Sequence, residues 1–359
     1  VLDHWPCKAD AKERLLQRQH ILAAVALLGC LGHGDLRNFR NPLHLGIISH
    51  RSSAYRAKKL KDRIVIRPAG LGKPHRFLEC LYGIGGIATS EDAAHAIYEA
   101  KGRPSDNPLI IHVSEPRDAE LYAHTCELYY KLAEAFMPGP LTVVLKARES
   151  VPKETRGGLE TVAVRCPSHP IARALISSAG LPIAAPSANI SGKPSPTCAA
   201  HVIEDLDGRV DCIIDGGECT FGVESTIVKI TGEDSLVLLR PGAVTYDALC
   251  CVCSDVTVSD NVMNKLKENE RPLCPGSKYR HYAPKAPVTV VSGDPDKSAA
   301  HIRTNLSEHG GVICFHEYLD QFPGHIVHDL GHLTDKAEQA RHVFDALRTF
   351  DETDVTEIW

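Results

Sequence analysis

Leu181 to Thr197 reads Leu-Pro-Ile-Ala-Ala-Pro-Ser-Ala-Asn-Ile-Ser-Gly-Lys-Pro-Ser-Pro-Thr, and its reading decides the fold. Ile183 to Ala185 is a short apolar strand, and Pro186 turns it into a run of small polar side chains: Ser187, Asn189, Ser191, Ser195 and Thr197. Such side chains place short donors and acceptors at a strand end, where open α/β sheets bind ligands. Four prolines stiffen the run without helix or sheet. A polar surface loop would have the same composition, so the neighbouring sequence has to decide between the two readings.

Outward from this stretch the text is regular from Phe77 onward. Ser90 or Thr89 caps a helix running to about Ala100, with Ala93, Ala94, Ile97 and Tyr98 on its buried side. The pattern predicts strands at Leu109–Val113, Leu141–Lys146, Thr161–Arg165, Cys212–Ile214, Ser225–Ile230 and Leu236–Leu239. Helices are expected over Asp118–Phe136, from Pro170 to Gly180, and over Cys198–Leu206. The mixture of strands and helices, without strict alternation, indicates an α/β fold with a sheet of mixed direction. Arg271 to Pro287 has no period and reads as a linker. Strands at Val288–Val291 and Val312–Phe315, with helices at Lys297–Leu306 and Lys336–Phe350, then make a small second α/β unit expected to run past Trp359.

Composition is that of a globular chain: 359 residues, 43% hydrophobic and 24% charged, with net charge −5. The charge is uneven. Residues 1–76 carry 15 basic and 5 acidic side chains, and the remainder carries 25 and 40. Beyond a helix at Lys8–Leu31, residues 1–76 have little periodicity and read as a basic tail or as the product of a misplaced exon boundary. Their apolar run, Ile21–Leu31, is too short to span a bilayer. The 13 cysteines offer one Cys-x-x-Cys pair, Cys250 and Cys253, with no second pair to complete a four-thiolate site, so they read as mostly reduced, buried small hydrophobes.

Chemistry gathers at strand and helix ends. Lys101-Gly-Arg103 follows the first helix and makes a basic corner suited to phosphate oxygens. Arg165 and Arg240 end strands, Glu224-Ser225-Thr226 opens one, and His112 lies within one, where a histidine is more often structural than functional. No Gly-x-Ser-x-Gly elbow or Walker loop accompanies them. The set suits a nucleotide and a small zwitterion and offers no covalent nucleophile.

Lys101-x-Arg103 with Ser187-x-Asn189 resembles the tetrad of the YrdC-domain family, the threonylcarbamoyl-AMP synthases. Asn107-Pro-Leu-Ile-Ile-His112, Pro138-Gly-Pro-Leu-Thr142, Val162-Ala-Val-Arg165, Glu224-Ser-Thr-Ile-Val228 and Leu239-Arg-Pro-Gly242 follow in the family order. Pro275-Gly-Ser-Lys-Tyr-Arg-His-Tyr-Ala-Pro284 resembles the linker of the long two-domain members. The resemblance implies a YrdC-like twisted mixed sheet over 77–248, a linker over 249–287 that covers the active site, and a smaller Rossmann-like α/β domain over 288–359. It implies condensation of L-threonine, bicarbonate and ATP, with magnesium, into threonylcarbamoyl-AMP and pyrophosphate. The product would pass to a tRNA threonylcarbamoyl transferase complex in the cytoplasm or mitochondrion, for the adenosine beside the anticodon, with weak tRNA binding by the chain itself.

By the same resemblance, Lys101, Arg103, Asn107, Thr161, Ala185, Ser187, Asn189, Ser195, Arg240, Tyr279 and His281 would meet ATP, with Lys101 and Arg103 catalytic. Cys80, His112, Arg165 and Ser225 would meet threonine. No residue is assigned to metal. The family opens with Pro-Thr-Glu-Thr-Val-Tyr-Gly-Leu-Gly where this chain has Phe77-Leu-Glu-Cys-Leu-Tyr-Gly-Ile-Gly85. Leu78 and Cys80 thus replace threonines, and a thiol is a poor substitute for a hydroxyl. Three other readings stay open: a non-catalytic double-stranded RNA or tRNA-binding module, an enzyme using carbamoyl phosphate, and an inactive member of the same fold.

Overall fold

The computed structural model describes residues 55–60, 63–68, 80–263, 274–275 and 282–359. Its centre is a nine-stranded mixed sheet. The strands are β3 (Gly86–Ile87), β4 (Ile110–His112), β5 (Ala123–His124), β6 (Leu141–Ala147), β7 (Thr161–Arg165), β8 (Ile183–Ala184), β10 (Thr226–Gly232), β11 (Ser235–Arg240) and β12 (Asp255–Val258). They lie in the order β12-β11-β10-β6-β7-β4-β8-β3, with β5 paired to β6. β10 runs parallel to β6 and β4 parallel to β7, whereas β6–β7, β4–β8 and β10–β11 are antiparallel. The mixed direction expected from the sequence is present.

Helices α1 (Glu91–Lys101), α2 (Glu127–Phe136), α3 (Pro170–Ala179) and α4 (Ala199–Leu206) flank the sheet. α1 forms where Ser90 accepts a hydrogen bond from Ala93 N and two acidic residues face the helix N-terminus. α3 has Pro170 at its first position and ends at Gly180 in the left-handed conformation. The main core joins α1 and α2 to the sheet through Ile97, Leu128, Tyr129, Leu132, Leu141 and Val164, among others. Burying each such side chain is worth about 1.5–3 kcal/mol.

Four expectations change. The helix expected over Asp118–Phe136 is three elements: a 3-10 turn at Pro116–Leu121, strand β5, and α2. Pairing of Ala123 with Ala147 and of His124 with Lys146 holds the middle extended, so helical spacing holds only from Glu127. Val288–Val291 forms one bridge, Val288 to Ile358, and no strand. The cysteines are less buried than expected: Cys80, Cys166, Cys219, Cys253 and Cys274 are, while Cys126, Cys250 and Cys251 are exposed. Within residues 1–76, β1 (Tyr55–Leu60) and β2 (Arg63–Pro68) form an antiparallel hairpin, and β2 runs parallel to β9 (Cys212–Ile214). The β-branched run Ile64-Val65-Ile66 is the signal for the second strand. The rest of that segment lies outside the described residues.

Two short helices flank β12, α5 (Tyr246–Cys250) just before it and α6 (Asp260–Met263) just after. The second unit packs α7 (Pro295–Asn305) and α8 (Lys336–Phe350) with a parallel three-stranded sheet of order β14 (Ile326–Asp329), β13 (Gly310–Cys314), β15 (Glu357–Ile358). The Rossmann-like expectation reaches no further than this parallel α/β sheet. No helix among the described residues is long and apolar enough to cross a membrane.

Candidate active site

Strand register assembles one side of the site. His112 pairs with Arg165, Arg165 with Thr142, Thr142 with Ile227 and Ile227 with Arg240, one row across five strands. Side chains alternate along a strand, so Ile110, Ala163 and Val144, two residues from members of that row, share its face. With Ile227, Leu239 and Cys274 they form a small apolar cluster. Of this cluster, Ile110 borders the cleft.

The basic corner is built by a helix end. Gly102 takes the left-handed conformation (φ 60°) and caps α1 through Glu99 O and Tyr98 O. This turn sends Lys101, 1% exposed, and Arg103 into the same cleft. Lys101 Nζ donates to the carbonyl oxygens of Ser187 and Asn189, the latter at 2.5 Å. Burial, helped by neighbouring Arg103, pulls its pKa down to about 7. Arg103 donates to Asn107 O (3.3 Å) and Pro108 O (3.0 Å). Burial lowers its pKa to about 10, which leaves it charged at neutral pH.

Around the Ser-x-Asn stretch, Ser187 Oγ donates to Asn189 Oδ1 (2.6 Å) and Asn189 Nδ2 donates to Lys193 O (2.9 Å). Ser195 Oγ donates to Glu224 Oε1 (2.7 Å) and joins this loop to the start of β10. At the sheet's polar row, Arg165 Nε donates to Gly139 O (3.0 Å), and Thr142 and Ser225 share a hydroxyl hydrogen bond (2.8 Å). Arg240 donates to both Ser225 O (2.9 Å) and Ser225 Oγ (3.1 Å). Burial first, and then Arg165, lower the pKa of His112 to about 3, so its imidazole is neutral. Its Nδ1 and the Oδ1 of Asn107 are buried without a hydrogen-bond partner among the described residues.

These groups open on one cleft of about 850 Å³. Cys80, Lys101, Arg103, His112, Arg165, Ala185, Ser187, Asn189, Ser225 and Arg240 all line it. Asn107, Thr161 and Ser195 are not part of the lining; Thr161 pairs with Lys146 at the far end of β7. Tyr279 and His281 lie outside the described residues. Glu224 and Tyr282 also line it and were not among the expected site residues. Glu224 lay inside a quoted motif, but its hydrogen bond to Ser195 is long-range. Tyr282 sits in the linker with φ 58°, a rare conformation for a residue with a Cβ. Burial and Glu224 both raise its pKa. Among the described residues no three His, Cys, Asp or Glu side chains group to hold a metal ion.

Residues 79–242 match the Sua5, YciO and YrdC family model, described as "Telomere recombination", and residues 244–359 match the model described as "Threonylcarbamoyl-AMP synthase, C-terminal domain". The chain is 43% identical to a threonylcarbamoyl-AMP synthase of Bacillus subtilis over 282 residues, 77% of this chain and 80% of the relative. It is 46% identical to one of Pyrococcus abyssi over 285 residues, 77% and 81% of the two chains. The crystal structure of P. abyssi Sua5 complexed with L-threonine superposes with a TM-score of 0.73 at 44% identity, over 78% of this chain and 82% of that one. On two family models and close relatives spanning most of its length, the chain belongs to the threonylcarbamoyl-AMP synthase family, in the form that carries the additional C-terminal domain.

Proposed function

We propose that the chain condenses L-threonine, bicarbonate and ATP into threonylcarbamoyl-AMP with release of pyrophosphate, and that the product serves threonylcarbamoylation of the adenosine beside the tRNA anticodon. The observation that carries this reading is the single cleft that holds both the Lys101–Arg103/Ser187–Asn189 group and the His112–Arg165–Ser225 row. The first offers cations and hydroxyls to a nucleotide. The second offers a guanidinium for a carboxylate and a neutral imidazole and hydroxyls for a small polar side chain.

In this reading bicarbonate takes up a proton and loses water to give carbon dioxide, and the threonine amine adds to that carbon and loses a proton to give a carbamate. A carbamate oxygen then attacks the α-phosphorus of ATP in line. The bond from that phosphorus to the bridging oxygen breaks, and the pair leaves with pyrophosphate. Arg103 and Lys101 supply positive charge beside the phosphates, and the cleft holds the two substrates together. His112, with a pKa near 3, stays neutral and acts as a hydrogen-bond partner, not as the acid. Glu224 closes on the linker through Tyr282. With no three-ligand group among the described residues, magnesium would ride mainly on the phosphates and water, and no step here is routed through it. The contacts of Tyr279 and His281 with ATP, which the family resemblance implies, and the transferase complex that consumes the product belong to the same proposal.

Incubation with L-threonine, ATP and isotopically labelled bicarbonate tests the product. Label in an adenylate of the expected mass supports the reading, and labelled AMP-free carbamate or no product opposes it.

A further inference from the structure

Helix α8 belongs to the second unit, yet one of its stripes meets three segments bordering the cleft. Residues 341, 344, 345 and 348 fall at i, i+3, i+4 and i+7, along a single face. At the first position, backbone meets backbone: a Cβ on Gly222 (φ 69°) would lie 2.4 Å from Arg341 Cα. Gly222 precedes Glu224 by two residues. The Phe344 ring lies 5.0 Å from that of Tyr282. Asp345 Oδ1 is 3.6 Å from His201 Nε2.

Arg348 makes the most specific of these contacts. It is 5% exposed and donates to Pro194 O from Nε (3.1 Å) and Nη2 (2.7 Å), and from Nη2 to Asp205 Oδ2 (2.7 Å). Asp205, itself buried, also accepts from Ile190 N (3.3 Å) and Lys193 Nζ (2.8 Å). Pro194 is bonded to Ser195, which holds Glu224, and Ile190 is bonded to Asn189, which holds Lys101. Arg348 therefore grips both ends of the Asn189–Ser195 loop, one end directly and the other through Asp205. This loop has neither helix nor strand hydrogen bonds to order it, so anchors must offset its conformational entropy. Burial alone would raise the Asp205 carboxyl, but hydrogen bonds from Arg348 and Lys193 hold it below its ordinary value, as expected of an engaged ion pair.

We propose that Arg348 is a positioning residue for the nucleotide subsite: the second unit, through this guanidinium, fixes the Asn189–Ser195 loop in the conformation that receives ATP. The proposal rests on the nucleotide reading of the cleft. Arg348 does not line the cleft and touches no reacting atom.

The test uses the full chain with Arg348→Met, which keeps much of the side-chain bulk, and Arg348→Lys, which keeps the charge. Amide hydrogen exchange of the ligand-free protein and steady-state kinetics are both read. In Arg348→Met, exchange across Ile190–Ser195 and the KM for ATP each rise about tenfold, the loss of one to two charged hydrogen bonds. The KM for L-threonine stays within twofold, and Arg348→Lys recovers part of the loss. An unchanged ATP KM in folded Arg348→Met overturns the proposal. So does an equal rise in both KM values alongside a fall in melting temperature, because that marks a general loss of structure. If the parent chain binds no ATP, the nucleotide reading itself fails and takes the proposal with it, whereas the exchange data still report whether Arg348 orders the loop.

Discussion

Lys101 Nζ donates to the carbonyl oxygen of Asn189 over 2.5 Å, and this bond makes one unit of two motifs 88 residues apart. The lysine is thus engaged before any ligand arrives, and its ammonium sets the loop that carries Ser187 and Asn189. Replacing it with methionine leaves the Ser187 and Asn189 carbonyls without their buried donor. The expected cost is about 1–3 kcal/mol for each carbonyl that water does not reach, with ATP binding lost. Chemical denaturation and ATP titration of Lys101→Met check this; unchanged stability would contradict it.

The depressed pKa of Lys101 has a definite sign. Its folded value, about 7, lies below that of an unfolded lysine, so the folded state binds fewer protons between the two. The destabilisation is complete below pH 7 and fades as pH rises toward the ordinary lysine value of about 10.4. Incoming phosphates would favour the ammonium, so ATP should bind with proton uptake at pH 8 and more weakly as pH rises through 7. Calorimetric ATP titration in two buffers of different ionisation enthalpy measures the uptake, and identical enthalpies would contradict it.

Arg103→Ala should lower turnover about 10²-fold or more, by analogy with loss of one transition-state donor, with little change in the KM for L-threonine. Steady-state pyrophosphate release checks this, and near-normal turnover would remove Arg103 from the catalytic role.

Cys80 is buried and lines the cleft where the family pattern has threonine. A hydroxyl is the stronger hydrogen-bonding group, so Cys80→Thr should lower the KM for L-threonine by roughly five- to tenfold, with the KM for ATP unmoved. Kinetics with each substrate varied in turn give the answer; no gain, or a gain for ATP alone, would show that position 80 does not face threonine.

Much of this was legible in the sequence because the signals are local. Ser90 and Gly102 mark the ends of α1, Pro170 and Gly180 those of α3, and β-branched runs mark β6, β7 and β10. The family resemblance, carried by the Lys-x-Arg and Ser-x-Asn motifs, implied ten residues that line one cleft. What was not legible depends on distant partners. Ala123 and His124 are strand only because β6 pairs with them. The roles of Glu224, Tyr282 and Arg348 come from contacts across 29 residues or more and from the packing of α8 on the first domain. Thr161 illustrates the converse: its strand was correctly placed, but register sets it opposite Lys146, away from the cleft.

The central claim is tested most directly by pyrophosphate release from ATP, measured with L-threonine and bicarbonate present, and with each omitted in turn. Release that requires both is the predicted result, and it would also show that Cys80 is tolerated. Release independent of threonine, or none from a folded chain that binds ATP, would contradict the account.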